Sequence, residues 1–273
     1  MANRVVSMLP PHGHYVEPYA GGLAVLLAKP VSRMETVNDI DGDLMFFWKM
    51  LRDRPVDLAR VCALTPHSRA EHSLSRDRDH TDDLERARRI WVALSQSRGG
   101  QLTPTGWRHH IAPSGSSVGM PGYLDGYVKR IAPAAARLKH VSLESRPAIE
   151  VIAAYGRDAD TLLYVDPPYL GATRGATHAY QHEMRDPAQH TELAEALKRC
   201  KGPVVLSGYP SSLYDELYSD WYHICLPAFT GQGNQSPTAR GARVEILWSN
   251  RPLNKMLSLL DKMPLDTERT GQR

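Results

Sequence analysis

Residues 161–170 read TLLYVDPPYL. The run Thr161-Leu162-Leu163-Tyr164-Val165 has the length and composition of a buried strand, and it stops at an acid, two prolines and an aromatic ring. One proline is enough to end a strand, because it has no N–H to donate to a sheet ladder. Two do more. Each residue before a proline is pushed toward extended geometry, so Asp166 and Pro167 are both held extended, with carbonyls turned outward. The spacing predicts a rigid row of acceptors, the Asp166 carboxylate and the Pro167 carbonyl, next to the ring of Tyr169. Such a row suits a planar group bearing an N–H₂ donor: the acceptors bind the amine hydrogens while the ring stacks on the face.

Similar short apolar runs recur on both sides of this one: HYVEP (14–18), METVND (34–39), HVSLES (140–145), PVVLSG (203–208), YHICLPA (222–228) and VEILWSN (244–250). Helical spacing separates the earlier ones, over Leu23–Lys29, Gly42–Arg52, Ala148–Tyr155 and Pro187–Lys201. Strands alternating with helices predict an α/β fold around a mostly parallel sheet covered on both faces. The last two runs have no strong helix between them and are expected to pair antiparallel. The alternation breaks between residues 54 and 139, where the amphipathic DLERARRIWVAL (83–94) is followed by Gly- and Ser-rich segments. We therefore expect a discontinuous α/β domain, 1–53 with 140–252, a helical and loop insertion at 54–139, and a C-terminal tail at 253–273.

In an open α/β sheet, ligands bind beyond the carboxyl ends of the strands, so the residues that end each strand carry the chemistry. The first run ends in EPYAGG (17–22), where Gly21 and Gly22 let backbone approach a ligand closely; the spacing is not the dinucleotide G-x-G-x-x-G. The second ends in NDID (38–41), where Asp39 or Asp41 is placed to accept from ribose hydroxyls, with an N-cap on the following helix as the alternative for Asp41. A net charge of +3 names no partner by itself. Between Arg98 and Lys139, however, Arg98, Arg108, Lys129, Arg130, Arg137 and Lys139 face only Asp125. Cys62, Cys200 and Cys225 are mutually isolated, which argues against a disulfide framework or a zinc site. No apolar run reaches bilayer length and the start lacks a signal-peptide pattern, so a soluble, cytoplasmic protein is expected.

YVEPYAGGLAV (15–25), NDID (38–41), YVDPPY (164–169), and YQHEM with QHTELAEAL (180–197) together resemble the D12-class, Dam-like DNA adenine-N6 methyltransferases. The order of motifs also fits, and the resemblance runs from Tyr15 to about Asn250. It implies a Rossmann-like methyltransferase fold dependent on S-adenosylmethionine (SAM), with 54–139 as the target-recognition insertion. It also implies site-specific methyl transfer to adenine N6 in double-stranded DNA. On this likeness Tyr15, Glu17, Pro18, Tyr19, Gly21, Gly22, Asp39, Asp41 and Asp166 surround SAM, and Asp166, Pro167, Pro168 and Tyr169 form the catalytic pocket. No metal is expected. Adenine N6 is a poor nucleophile, and acceptors that draw on its hydrogens stabilise the charge developing there. A stacked base cannot reach such a pocket, so adenine must be flipped out. Arg98, Arg108, Lys129 and Arg130 then become phosphate contacts, and a cognate restriction endonuclease is a candidate partner. Alternatives are a cytosine-N4 or RNA methyltransferase, and a nucleic-acid-binding relic. The relic alternative arises because the family's Gly-Gly-Lys segment has no counterpart before Tyr15 and Leu23 stands where Gly or Ala is common, which together predict weaker SAM binding.

Overall fold

The computed structural model describes residues 1–79, 82–100, 102–109, 119–168, 184, 186–228 and 243–253. Tyr169 and the expected tail beyond Leu253 lie outside them. Each run read as a strand is one: β1 (His14–Glu17), β2 (Met34–Asn38), β3 (Ser142–Glu144), β4 (Thr161–Val165), β5 (Val204–Gly208), β6 (Tyr222–Ala228) and β7 (Arg243–Ser249). They form a seven-stranded sheet in the order β3-β2-β1-β4-β5-β7-β6. The pairs from β3 to β5 are parallel, and β7 runs antiparallel between β5 and β6. β4 lies at the centre and is buried at every residue, as a strand covered on both faces must be.

Alternate residues of the strands feed two cores. On one face Tyr15, Val37, Leu162, Tyr164, Val205 and Leu247 pack with α1 (Ala2–Met8), α2 (Ala24–Ala28) and α3 (Gly42–Asp53). α1 spans only seven residues, too few for helical periodicity to be legible in the sequence. On the other face Val16, Leu163, Val165, Val204, Leu206, Ile246 and Trp248 pack with α9 (Ala148–Tyr155), α10 (Pro187–Lys198) and α11 (Ser212–Leu217). The result is a three-layer, Rossmann-like arrangement. The stretch expected as an insertion supplies α4 (Pro55–Ala63), α5 (Arg69–Leu74), α6 (Asp83–Gln96), α7 (Gly119–Lys129) and α8 (Ile131–Leu138). Leu58, Ile90, Trp91, Ile131 and Leu138 join the first core, so these helices share the apolar interior of the sheet.

One buried charge cluster anchors that shared core. Lys29 Nζ lies 2.7 Å from Glu35 Oε1, with both side chains almost wholly buried, and Arg137 of α8 grips the same carboxylate with two bonds. Burial alone would raise the pKa of Glu35, but hydrogen bonds from Arg137 and Lys29 hold it below its ordinary value. A desolvated carboxylate needs such pairing to stay charged. Arg137, counted with the basic stretch in the sequence, is therefore committed to the fold.

Candidate active site

From β1 the chain connects successively to β2 and β3 on one side, while β4 leads to β5 on the other. The topological switch point thus falls between β1 and β4, where ligands of open α/β sheets bind. Glu17 ends β1 and Asp166 follows β4 at this point. The parallel register, Val16 opposite Leu163, brings the two strand ends side by side.

After Glu17 the chain makes a tight turn held by β2. Ala20 N donates to Asn38 O, and Leu23 N to Ala20 O, both at 2.8 Å. Gly21 N donates to Asp39 Oδ2 at 3.0 Å, and Trp48 Nε1 donates to Gly21 O. Asn38 is fully buried; its amide donates to Pro18 O and Arg146 O and accepts from Arg146 N. Every arm of that side chain ties the turn to the loop after β3. Gly21 has φ +46°, a left-handed conformation that glycine adopts without steric cost. A Cβ at Gly21 or Gly22 would meet no heavy atom within 4 Å, so the backbone here is open to a ligand. Leu23 follows at φ +54°, wholly buried, where a side chain incurs the left-handed penalty.

The acids named from the sequence divide into supports and candidates. Tyr15 is fully buried and its hydroxyl donates to Glu17 Oε1 at 2.6 Å, so it backs the motif from within the core. Leu26 N donates to the same Glu17 oxygen at 2.8 Å. Burial pushes the Glu17 carboxyl up to about 8 against those two hydrogen bonds, with the nearby Asp166 charge adding to the rise, so Glu17 is neutral at pH 7. Asp39 also accepts from Asp41 N. Asp41 Oδ1 accepts from Asp43 N and Leu44 N as the N-cap of α3, the structural alternative anticipated for it. Tyr19 is half-buried, and its hydroxyl lies 3.5 Å from Met184 Sδ, to which it donates.

Beyond β4, Asp166 is exposed, Pro167 buried and Pro168 half-buried. Ser207 Oγ of β5 donates to Asp166 Oδ1 at 2.9 Å. Behind the opposite face of the sheet, His190 is completely buried between Met184 O and the Tyr214 hydroxyl. The carbonyl requires a proton on Nε2, so Nδ1 accepts from Tyr214 and the ring is neutral. Burial lowers its pKa, which agrees.

Of the basic residues, Arg108 and Arg130 join one row along α7. The Arg108 guanidinium lies 4.7 Å from the Tyr123 ring centre, Tyr123 lies 5.6 Å from Tyr127, and Arg130 sits 4.2 Å over Tyr127. Lys129 is exposed at the end of α7. Arg98 is exposed next to the isolated bridge between Ser97 and Trp107. Trp107 itself stacks on His67 at 4.4 Å and carries the Arg69 guanidinium at 4.7 Å. Spacing did not single out these aromatic partners: Tyr123 and Tyr127 share α7, but Arg108 and Trp107 reach their partners from other segments of the chain.

A family model described as D12 class N6 adenine-specific DNA methyltransferase matches residues 1–93 and 128–228. The chain belongs to that family. The match takes in the glycine turn, Asp39 and the residues after β4, and it leaves out the stretch that carries Arg98, Trp107 and Arg108. A solved SAM-dependent methyltransferase from Agrobacterium tumefaciens aligns with 92% of this D12-class chain at 11% sequence identity and a TM-score of 0.39. The chain spans 60% of that protein's length. No curated protein matches it.

Proposed function

We propose that this D12-class protein transfers a methyl group from SAM to N6 of adenine in double-stranded DNA, at specific sites. The observation that carries the reading is the adjacency, at the sheet's switch point, of an open glycine turn and an exposed aspartate followed by two prolines. The open space over Gly21 and Gly22 suits a cosubstrate held against backbone, with Tyr19, Asp39 and the neutral Glu17 around it. When bound, SAM supplies a methyl group activated on a sulfonium.

The remaining work falls to the chain's own residues. Asp166 and the Pro167 carbonyl accept from the two N6 hydrogens, which orients the nitrogen and stabilises the positive charge that builds on it. Ser207 fixes the carboxylate for that task. Positioning of this kind supplies most of the rate gain, without a strong base. Arg108, Lys129, Arg130 and Arg98 supply sequence-independent attraction to phosphates. The same reading places the enzyme in the cytoplasm beside its DNA and pairs it with a restriction endonuclease blocked by its mark.

Nucleoside analysis of unmethylated duplex DNA incubated with the protein and SAM tests the assignment. N6-methyldeoxyadenosine is expected. N4-methyldeoxycytidine, or RNA as the methylated polymer, would replace it with one of the alternatives.

A further inference from the structure

A third acid reaches the carboxyl edge of the sheet from a strand to which the sequence motifs do not point. Glu245 lies on β7, two residues before Leu247, which pairs with Ser207 of β5. Side chains two apart on a strand share a face, so Glu245 stands on the same face as Leu247 and Ser207, and Ser207 donates to Asp166. On the other side it pairs with Leu226 of β6, which is buried in the same core. Glu245 is half-buried, and among the described residues its carboxyl has no hydrogen-bond or ion-pair partner. Its carboxyl oxygens are not sealed from solvent, so the group can meet a ligand, or a water beside one, at this edge.

Resting on the function proposed above, we propose that Glu245 is the proton acceptor of the methyl transfer. The chemistry requires one. When the N6 lone pair forms the new N–C bond, the nitrogen becomes cationic and carries two hydrogens besides the methyl. One proton must leave, with the N–H electron pair returning to nitrogen. Asp166, which already holds one of the two hydrogens, takes the leaving proton and relays it through one water to Glu245, which later passes it to solvent.

The other acids fit the task less well. Glu17 is neutral and wholly buried, with Oε1 held by Tyr15 and Leu26. Asp166 accepts from Ser207 and is assigned to the amine hydrogens. Among the described residues, the charged and titratable groups that act on Glu245 are Asp166, the Met1 ammonium and the Tyr164 hydroxyl. Burial, then the Asp166 charge, push its carboxyl up to about 6, with the ammonium opposing. It is therefore ionised at neutral pH and more basic than an ordinary carboxylate, which suits an acceptor.

The test compares the wild-type protein with Glu245→Gln and Glu245→Asp on unmethylated duplex DNA, reading single-turnover rate against pH and, separately, the affinities for SAM and for duplex. The wild-type rate is expected to fall as pH drops through about 6. Glu245→Gln should lose about 10²-fold in rate near neutral pH and show no such inflection, with both affinities within about twofold of wild type. Glu245→Asp should recover part of the rate. A wild-type protein that methylates DNA with no inflection near that pH overturns the proposal without recourse to any variant. So does a Glu245→Gln protein that matches the wild-type rate, or one whose rate loss is equalled by lost affinity. Absence of methyl transfer by the wild type to any DNA would overturn the function itself, and this inference with it.

Discussion

Ser207 Oγ donates a 2.9 Å hydrogen bond to Asp166 Oδ1, and the Tyr164 hydroxyl donates to Ser207 Oγ at 3.3 Å. The two hydroxyls form a short chain that ends on the aspartate expected to bind the amine. Ser207 is wholly buried on β5, so its position is set by the sheet and fixes the carboxylate in turn. Ser207→Ala should lower kcat by about tenfold and stability by about 1 kcal/mol, the usual worth of one hydrogen bond. SAM affinity should hold. Steady-state kinetics with a melting curve would check this, and an unchanged kcat would remove Ser207 from the site.

Glu17 makes stability depend on pH in an unusual direction. Its folded-state pKa is raised from 4.5 to about 8, chiefly by burial, so the folded state keeps a proton that the unfolded chain loses. Stability is then fully present below the ordinary glutamate range and falls as pH rises to about 8, by about 1 kcal/mol per pH unit. Glu17→Gln keeps an oxygen for Tyr15 and Leu26 and removes the charge. Denaturant melts across that window should show a flatter pH slope for the variant and greater stability than wild type near its upper end. Parallel slopes for the two proteins would contradict the neutral-Glu17 assignment.

Leu23 combines full burial with φ +54°. Leu23→Ala should cost about 3 kcal/mol through the lost packing, while the alanine still bears the left-handed strain. Leu23→Gly gives up that packing and the Cβ as well, but it relieves a left-handed penalty larger than the added chain entropy, so it should be the more stable of the pair by a few tenths of a kcal/mol. Chemical denaturation of both variants decides the order. Alanine proving the better residue would mean that the backbone changes conformation when the side chain is removed.

The row along α7 predicts how duplex DNA is held. Replacing Arg108, Lys129 and Arg130 with alanine should weaken binding to all duplex sequences about equally and reduce the salt slope by about one per lost phosphate contact. Tyr123→Ala should have a smaller effect in the same direction, because Arg108 loses the ring it rests on. Fluorescence anisotropy over a salt series would measure both. A salt slope equal to that of wild type would make the row an ordinary solvated face.

The strands were legible because their apolar runs are short and end in turn residues; even the antiparallel close of the sheet followed from the lack of a strong helical pattern in the sequence between YHICLPA and VEILWSN. EPYAGG and DPPY were legible for a related reason: glycine and proline constrain backbone locally, whatever surrounds them. The supports of the site depend on contacts between distant parts of the chain, which no local pattern encodes. Asn38 reaches Arg146 across 108 positions, and Ser207 reaches Asp166 across 41. Asp41 and Tyr15 stand inside the quoted motifs, yet one caps a helix and the other lies beneath a buried acid. A motif marks where a site forms, and packing then decides which of its members face the ligand. Likewise, nothing in the spacing separates Arg137, committed to Glu35, from Arg130, exposed between α7 and α8.

The central claim is that Asp166, at the switch point of this sheet, is the group around which adenine is methylated. Transfer of tritiated methyl from SAM to unmethylated duplex DNA by the wild-type protein and by Asp166→Ala, with folding and SAM affinity measured for both, tests it most directly. The account predicts label on adenine N6 with the wild type. For Asp166→Ala it predicts a rate lower by about 10³-fold or more, because one preorganised contact to the developing charge is lost, with fold and SAM affinity close to wild type. Label incorporated by Asp166→Ala at near the wild-type rate would contradict it.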